Sequence, residues 1–181
     1  MRITDCRYDR DRLRLAVAYR LIGHEVRTQT IRCLTWLSDD RIRRLWRDYW
    51  RSEARNEVRR RRGKAPRQMT YFRKSADHEI EAATFACLLA MAGLIGAVQS
   101  PWRPTLDQVS CFLDVYETFC CDYRPSPFIS CEHGLFLFEV LNRAEEYALL
   151  PCPGCSGLWV RDQLSVQPDR CAACRSPLLP F

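Results

Sequence analysis

Cys152-Pro153-Gly154-Cys155 and Cys171-Ala172-Ala173-Cys174 are the two parts of the sequence that most constrain the fold. Two residues between the cysteines of each pair allow a tight turn to present two thiolates to one ion, and zinc prefers four such ligands in tetrahedral geometry. The fifteen residues between the pairs suffice for a short hairpin whose first strand is Leu158-Trp159-Val160. The sequence therefore predicts a small zinc ribbon over residues 151–181, in which these four cysteines bind one structural Zn²⁺ ion per chain.

Two other chemistries also use CxxC pairs. Iron accepts four thiolates in a rubredoxin-like site, and the CPxC pair followed by Trp159 is compatible with it, although the sequence shows no electron-transfer domain beside it. Redox-active dithiols are the other alternative, but each would normally lie at a helix start, which Pro151 and the following turn do not clearly provide. Four sulfur ligands leave no position for water or substrate, so a zinc ion here would be structural and not hydrolytic.

The N-terminal sequence and the remaining cysteines indicate the cellular compartment in which the protein is expected. The first seven residues contain neither an apolar core nor a cleavage-site pattern, so we expect a cytoplasmic protein with reduced thiols. In that setting scattered cysteines are interpreted as small buried hydrophobes. These are Cys33, Cys87, Cys111, Cys120, Cys121 and Cys131.

An uncharged stretch runs from residue 82 to residue 102 and raises the question of whether this segment spans a membrane. Its most apolar part, residues 82–98, has only 17 residues and is rich in alanine, which places it at the lower limit of spanning length. We therefore interpret it as a buried helix and expect no membrane association.

Residues 1–150 carry helical periodicity and are interpreted as one mostly α, bundle-like domain. Helices are predicted over residues 9–22 and about 26–34, followed by a break around Trp36 and a third helix that Ser38 can cap. The predicted buried stripe of this third helix is Ile42, Leu45, Trp46 and Tyr49.

Two short helices and a tight turn are typical of a helix-turn-helix, which the N-terminal segment resembles. Two surface helices meeting at a corner would give the same pattern, and Trp36 stands where such turns usually have glycine. Residues 51–74 are interpreted as an extension of the third helix and then a basic linker that includes Tyr71 and Phe72.

Three more helices are predicted before the ribbon. Ser75 can cap a helix to about residue 98, Thr105 and Gln108 form a capping box for the next, and Ser126-Pro127 can begin the last, which would end near Leu150. The predicted inward residues are Ile80, Ala83, Cys87, Leu88 and Met91 in the first; Val109, Phe112, Leu113, Tyr116 and Phe119 in the second; and Phe128, Leu135, Phe138 and Leu141 in the third.

Charge is distributed unevenly along the chain. Residues 1–74 hold 22 Lys and Arg against 9 Asp and Glu, a net charge of +13, whereas the remainder carries −7. Such an excess of arginine attracts nucleic-acid phosphates, although a solvated, merely solubilising surface is the alternative. The predicted DNA-binding residues are Arg41, Arg43, Arg44, Arg47, Arg51, Arg59, Arg60, Arg61, Arg62 and Lys64.

No enzyme motif is found in the sequence. The three histidines, His24, His78 and His133, are isolated and outside any nucleophile motif, and neither a P-loop nor a GxGxxG fingerprint occurs. We therefore predict a protein without catalytic activity.

The order of these features resembles the C subunit of the flagellar master transcriptional regulator, the FlhC family. The resemblance extends from about Leu13 to Pro177 and is most specific at the four cysteines with Gly157 and Trp159, at residues 37–50, and at residues 112–116. It implies a transcriptional activator subunit that binds double-stranded DNA upstream of flagellar operons, in a hetero-oligomer with the flagellar D subunit, and helps recruit RNA polymerase. It also implies that the four cysteines hold zinc.

Two other functions remain open from the sequence. The ribbon and the apolar helices could form a protein-interaction scaffold on which the arginines are only solubilising. An RNA-binding factor is the second, because aromatic residues are interleaved with the basic ones. These aromatic residues are Trp46, Tyr49, Trp50, Tyr71 and Phe72.

Overall fold

The computed structural model describes residues 5–50, 58–96, 103–123, 125–166 and 170–175. It is mostly helical, with 61% helix and 7% strand, which confirms the predicted class. Within the described residues, no helix is both long and apolar enough to cross a bilayer.

The chain divides into two compact units. The first contains residues 1–65 and 104–113, and the second contains residues 66–103 and 114–181. The predicted boundary between residues 150 and 151 stays a prediction. The cysteine-rich segment belongs to the second unit, where it contacts α4 (Ala76–Met91).

The first unit is built on three helices, α1 (Asp5–Gly23), α2 (Thr28–Thr35) and α3 (Asp39–Leu45). The chain reverses after α2 because Trp36 adopts a left-handed conformation, with φ of 61°. The predicted cap is confirmed, since Ser38 Oγ accepts a hydrogen bond from the backbone N–H of Arg41. A short π-helical segment, Trp46–Trp50, follows α3. The core of this unit includes Val17, Leu21, Ile31 and Ile42.

The predicted buried stripe of the third helix is wrong at its end. Ile42 is buried, but Tyr49 is 59% exposed, because the backbone widens into the π-helical segment and rotates later residues away from the straight-helix face. Arg51 and the rest of residues 51–57 lie outside the described residues. Past them, the interpretation of Tyr71 and Phe72 as linker is also wrong, since both lie in a 3₁₀ helix, Met69–Arg73, where Phe72 is buried.

The second unit is organised around α4 (Ala76–Met91), which contacts the 3₁₀ helix, α6 (Cys131–Arg143), α7 (Ala172–Arg175) and both strands. The cap at Ser75 is confirmed by its hydrogen bond from the N–H of His78. The predicted inward face is wrong, however: Ile80 is 51% and Met91 83% exposed. The buried face consists of Glu81, Ala82, Phe85, Ala86 and Leu89.

Helix α5 (Leu106–Thr118) continues into a π-helical segment, Phe119–Tyr123, and belongs to both units. Its capping box is confirmed by reciprocal hydrogen bonds of 2.8 and 3.2 Å between Thr105 and Gln108. The predicted apolar stripe is confirmed as well. Val109, Phe112, Leu113, Tyr116 and Phe119 are all buried.

The predicted last helix is wrong at both ends. It begins at Cys131 with Ser130 as its cap, which leaves Phe128 outside it, and it ends at Arg143. The chain then forms strand β1 (Tyr147–Pro151), which pairs antiparallel with β2 (Leu158–Asp162). The predicted strand at Leu158 is therefore the second strand of the hairpin, because its partner precedes the first cysteine pair. The hairpin encloses that pair and does not lie between the pairs.

The prediction that the scattered cysteines are buried is wrong for most of them. Cys131 is buried, but Cys33 and Cys121 are exposed, and Cys87, Cys111 and Cys120 are intermediate.

Candidate metal centre and basic surface

The β-hairpin presents the first cysteine pair. Cys152 follows β1 directly, and Cys155 lies three residues before β2. The turn between them is closed by two backbone hydrogen bonds, from Cys152 N to Gly157 O at 2.9 Å and from Ser156 N to Cys152 O at 2.8 Å. Both thiols of the pair are thereby turned toward the same side of the hairpin end.

The second pair lies at the start of α7, where the N–H of Cys174 donates to the carbonyl of Cys171 at 3.1 Å. This helical turn places the two thiols of the pair beside those of the first. The four Sγ atoms of Cys152, Cys155, Cys171 and Cys174 all lie within 4.8 Å of one another. Sequence reasoning therefore identified all members of a possible metal site.

Sulfur is the donor atom at every corner of this cluster. A tetrahedral zinc ion with Zn–S bonds of about 2.3 Å separates its sulfur ligands by ~3.8 Å, and Cys155 and Cys171 Sγ lie 3.6 Å apart. The donor set and its spacing fit a four-thiolate metal site. The same sulfurs would accept iron, so the arrangement by itself supports a metal and not one particular element.

The protein backbone favours ionisation of one thiol. Burial opposes the charge on Cys152, but N–H groups of Cys171, Gly154 and Cys155 donate to its sulfur and lower its pKa to about 6. Cys174 behaves oppositely, because side-chain hydrogen bonds with Cys155 and Cys171 raise its pKa to about 12. Burial raises the pKa of Cys171. The cluster thus contains one thiolate ready to bind a cation and at least two thiols that must release protons.

Gly154 allows the two pairs to approach closely. A Cβ atom at this position would lie 3.1 Å from the Sγ of Cys174, closer than side chains normally pack. At Gly157, which the sequence also singles out, the corresponding distance to Cys155 Sγ is 3.4 Å. The tighter contact is therefore at the first glycine, where an added side chain would need Cys174 to shift by a few tenths of an ångström.

An ion pair anchors the cluster to the helical part of the second unit. Arg175, the residue after the last cysteine, pairs with Glu79 in the first turn of α4, where the Glu79 side chain is only 12% exposed. Trp159 of β2 is buried, and α4 contacts both β2 and α7. No sequence pattern indicates this ion pair, since its two residues are far apart in the chain.

An apolar groove of about 410 Å³ runs beside the cluster. The cysteine segment supplies one side of it, through Cys155, Gly157 and Ala172, and α4 supplies another, through Ile80 and Ala83. The cysteine segment therefore also lines an open apolar surface.

The predicted DNA-binding arginines of α3 and its π-helical extension are on the protein surface. Arg41, Arg43, Arg44 and Arg47 are exposed, whereas Ile42 between them is buried. Arg43 pairs with Asp40 at 3.1 Å. The second group, Arg59, Arg60, Arg61, Arg62 and Lys64, is exposed in the same unit.

Two of the three histidines, interpreted as isolated, share one aromatic cluster. His133 stacks on Tyr71 with ring centroids 3.8 Å apart, and His78 stacks on Phe128 at 4.6 Å. Each ring Nδ1 lies within 2.8 Å of the serine hydroxyl that caps its helix, Ser75 for His78 and Ser130 for His133. Both histidines therefore pack in the second unit and hydrogen-bond to the serines that cap their helices.

No protein-family model matches the chain, and comparison with the curated proteins also finds no match.

Proposed function

We propose that this chain is a DNA-binding subunit of a transcription-activating complex, of the kind that the resemblance to the flagellar C subunit implies, and that a structural zinc ion stabilises it. The observation that carries the proposal is the exposed arginine surface of the first unit, formed by α3, its π-helical extension and residues 59–62. Such a surface neutralises phosphates and releases counterions from duplex DNA.

The helix pair α2 and α3 supports a helix-turn-helix interpretation. Only three residues, 36–38, separate the two helices, and Leu37 within that turn is buried. The arginines of α3 then lie opposite its buried Ile42, as in a helix with an apolar back and a basic front. In this proposal they contact phosphates and groove edges, while residues 59–62 add affinity without sequence preference.

Zinc has a structural role in the proposal. Cys152, Cys155, Cys171 and Cys174 would bind it, and the ion would lock the hairpin and α7 together against α4. With four sulfur ligands it would not activate water, which agrees with a non-enzymatic function. The partner would be a flagellar D-type subunit.

A protein-interaction scaffold is the second candidate, and the apolar groove beside the cysteines favours it. The RNA-binding alternative loses part of its support, because Phe72 is buried and Tyr71 is stacked on His133. These two rings are thus already engaged within the protein and are not free platforms for bases.

The decisive experiment measures binding of a labelled DNA duplex as a function of salt. We expect affinity to fall steeply between about 50 and 200 mM salt. Replacement of Arg59, Arg60, Arg61 and Arg62 by Glu should flatten the slope of log binding constant against log salt concentration by roughly two to four units. The matched control reverses four exposed cations of the second unit, Arg67, Lys74, Arg103 and Arg143.

Equal slopes for wild-type protein and the 59–62 variant would contradict the proposal. Stronger competition by single-stranded RNA than by duplex DNA would support the RNA-binding alternative instead. Native mass spectrometry of the chain co-expressed with a candidate D subunit measures metal content, stoichiometry and partner in one experiment. A complex with the D subunit that does not bind DNA at low salt would support the protein-interaction scaffold.

A further inference from the structure

Glu25 makes two contacts with the run of four arginines at residues 59–62, which we call the arginine run. One carboxylate oxygen, Oε1, accepts a hydrogen bond from the backbone N–H of Arg59 at 3.2 Å. The other, Oε2, accepts from Nε of Arg61 at 2.9 Å. A single acidic side chain therefore holds both the backbone and a guanidinium of the run.

Other contacts fix the backbone of the same segment at both ends. Trp46 Nε1 donates to the carbonyl of Val58, and Arg27 Nε donates to the carbonyl of Arg62, each at 3.4 Å. Together with Glu25, these residues place the run against the start of α2 and the end of α3.

The side chains of the run divide into two groups. Arg60 donates to Thr28 Oγ1 at 3.3 Å and lies 6.0 Å from the Trp46 ring, and Arg61 is paired with Glu25. Among the described residues, Arg59 and Arg62 have no side-chain hydrogen bond or ion pair, and both are exposed. Arg60 and Arg61 thus anchor the run, while Arg59 and Arg62 are presented to solvent.

We propose that Glu25 is a positioning residue for DNA binding, which holds the arginine run in a fixed conformation that presents Arg59 and Arg62 to phosphates. This inference rests on the proposed function. The direction in which removal of Glu25 changes DNA affinity distinguishes this role from a simple charge effect. An acidic side chain beside a polyanion site weakens binding by charge repulsion, so charge alone predicts tighter binding when it is removed. A positioning role predicts weaker binding when Glu25 is removed, since Glu25 lowers the entropy cost of ordering the arginine run on DNA.

The backbone at Glu25 is itself unusual. Its φ is +58°, in the left-handed region, and its N–H donates to Ile22 O at 2.9 Å in the turn after α1. The turn directs the side chain of Glu25 to residues 59–61, more than thirty positions along the chain.

The test compares Glu25→Ala and Glu25→Gln, which have the same net charge. Gln keeps an acceptor for the N–H of Arg59, whereas Ala does not, so a difference between them reports on hydrogen bonding and not on charge. Asp11→Ala is the charge-matched control, because Asp11 pairs with Arg14 on α1 in the same unit and does not contact the run. Binding to a DNA duplex at fixed salt is the first measurement, and the rate of trypsin cleavage within residues 59–62 of DNA-free protein is the second.

We expect Glu25→Ala to weaken DNA binding by roughly threefold to tenfold despite its added positive charge, and Glu25→Gln to bind with intermediate affinity. Asp11→Ala should bind as tightly as wild-type protein or more tightly. Trypsin should cut the run several-fold faster in Glu25→Ala than in the control.

Tighter DNA binding by Glu25→Ala, equal to the effect of Asp11→Ala, would overturn the inference and leave the proposed function intact. An unchanged trypsin rate in Glu25→Ala would overturn it too, since the run would not depend on Glu25. Wild-type protein that fails to bind DNA would overturn the proposed function and with it a role for Glu25 in DNA binding.

Discussion

The Sγ atoms of Cys155 and Cys171 lie 3.6 Å apart, although fifteen residues separate them in the sequence. The hairpin and α7 bring them together, and the ion pair between Arg175 and Glu79 holds α7 on α4. The protein thus positions two cysteine pairs from separate elements close enough to share one ion.

Purified protein should contain about one zinc ion per chain, and Cys171→Ser should lose it. Because metal binding and folding of such a site are coupled, we also expect the variant to unfold residues after 151 and lose solubility. Elemental analysis and protease sensitivity of the C-terminal segment measure both effects. Cys121→Ser, at an exposed cysteine outside the cluster, is the control and should retain the metal. Folded wild-type protein that contains iron, or no metal, would contradict the zinc assignment.

Zinc binding at about pH 7.5 should release protons from Cys171 and Cys174. Burial raises the pKa of Cys171, and hydrogen bonds with Cys155 and Cys171 raise the pKa of Cys174 to about 12, so both thiols are protonated before the ion arrives. Cys152, with a pKa of about 6, is already ionised at that pH and releases little. Because binding releases protons, affinity should fall as pH falls. A pH indicator in weakly buffered solution measures the release. Zinc binding without acidification would rule out that Cys171 and Cys174 are protonated in the metal-free protein.

Gly154→Ala should weaken zinc binding by roughly tenfold, or about 1.4 kcal/mol. The new methyl group would lie 3.1 Å from Cys174 Sγ, which a bound metal prevents from moving aside. Gly157→Ala is the matched control, since its methyl group would make a longer contact of 3.4 Å with Cys155 Sγ. Competition with a chromophoric chelator compares the zinc affinities of the two variants. Equal affinities would show that the close contact between residue 154 and Cys174 does not limit zinc binding.

Glu81→Ala should destabilise the protein by about 1–3 kcal/mol. Glu81 is 6% exposed, and its Oε1 accepts a hydrogen bond of 2.7 Å from the backbone N–H of Ile129, which is also buried. Alanine would leave that N–H without its acceptor. Glu81→Gln retains an acceptor and should cost less. Denaturant unfolding measures the difference, and equal losses for the two variants would mean that the hydrogen bond to Ile129 does not matter.

Trp36→Gly should raise the free energy of unfolding by up to about 1 kcal/mol. Trp36 has φ of 61°, a conformation that glycine adopts without strain, and its side chain is 71% exposed and contributes little burial. Ala144→Gly tests the same effect at the end of α6, where φ is 50°. A loss of stability in the first variant alone would show that the indole of Trp36 makes stabilising contacts.

The fold was predictable where a few neighbouring residues decide the structure. The caps at Ser38 and Ser75 and the reciprocal capping of Thr105 and Gln108 each involve residues three positions apart. The grouping of the four cysteines was predictable for a related reason, since a four-thiolate metal site needs pairs of cysteines with a characteristic spacing.

The buried face of α4 could not be chosen from the sequence. Nearly every residue from 82 to 91 is apolar, so periodicity does not distinguish one side of the helix from another. Packing against β2, α6 and α7 buries Phe85 and Leu89 and leaves Met91 exposed. The helical pattern extrapolated to Leu150 failed similarly, because residues 147–151 become a strand only by pairing with residues 158–162.

The sequence by itself determined the mostly helical class, the caps at Ser38, Ser75 and Thr105, the four cysteines of a possible metal site and the concentration of arginine in the first 74 residues. Local hydrogen bonding, the spacing of paired thiols and composition fix these features. Tertiary structure alone decided the hairpin that encloses the first cysteine pair, the buried face of α4 and the contact of Glu25 with the arginine run. Each of these depends on residues distant in the chain, whose pairing follows from the packing of whole elements and not from any local pattern.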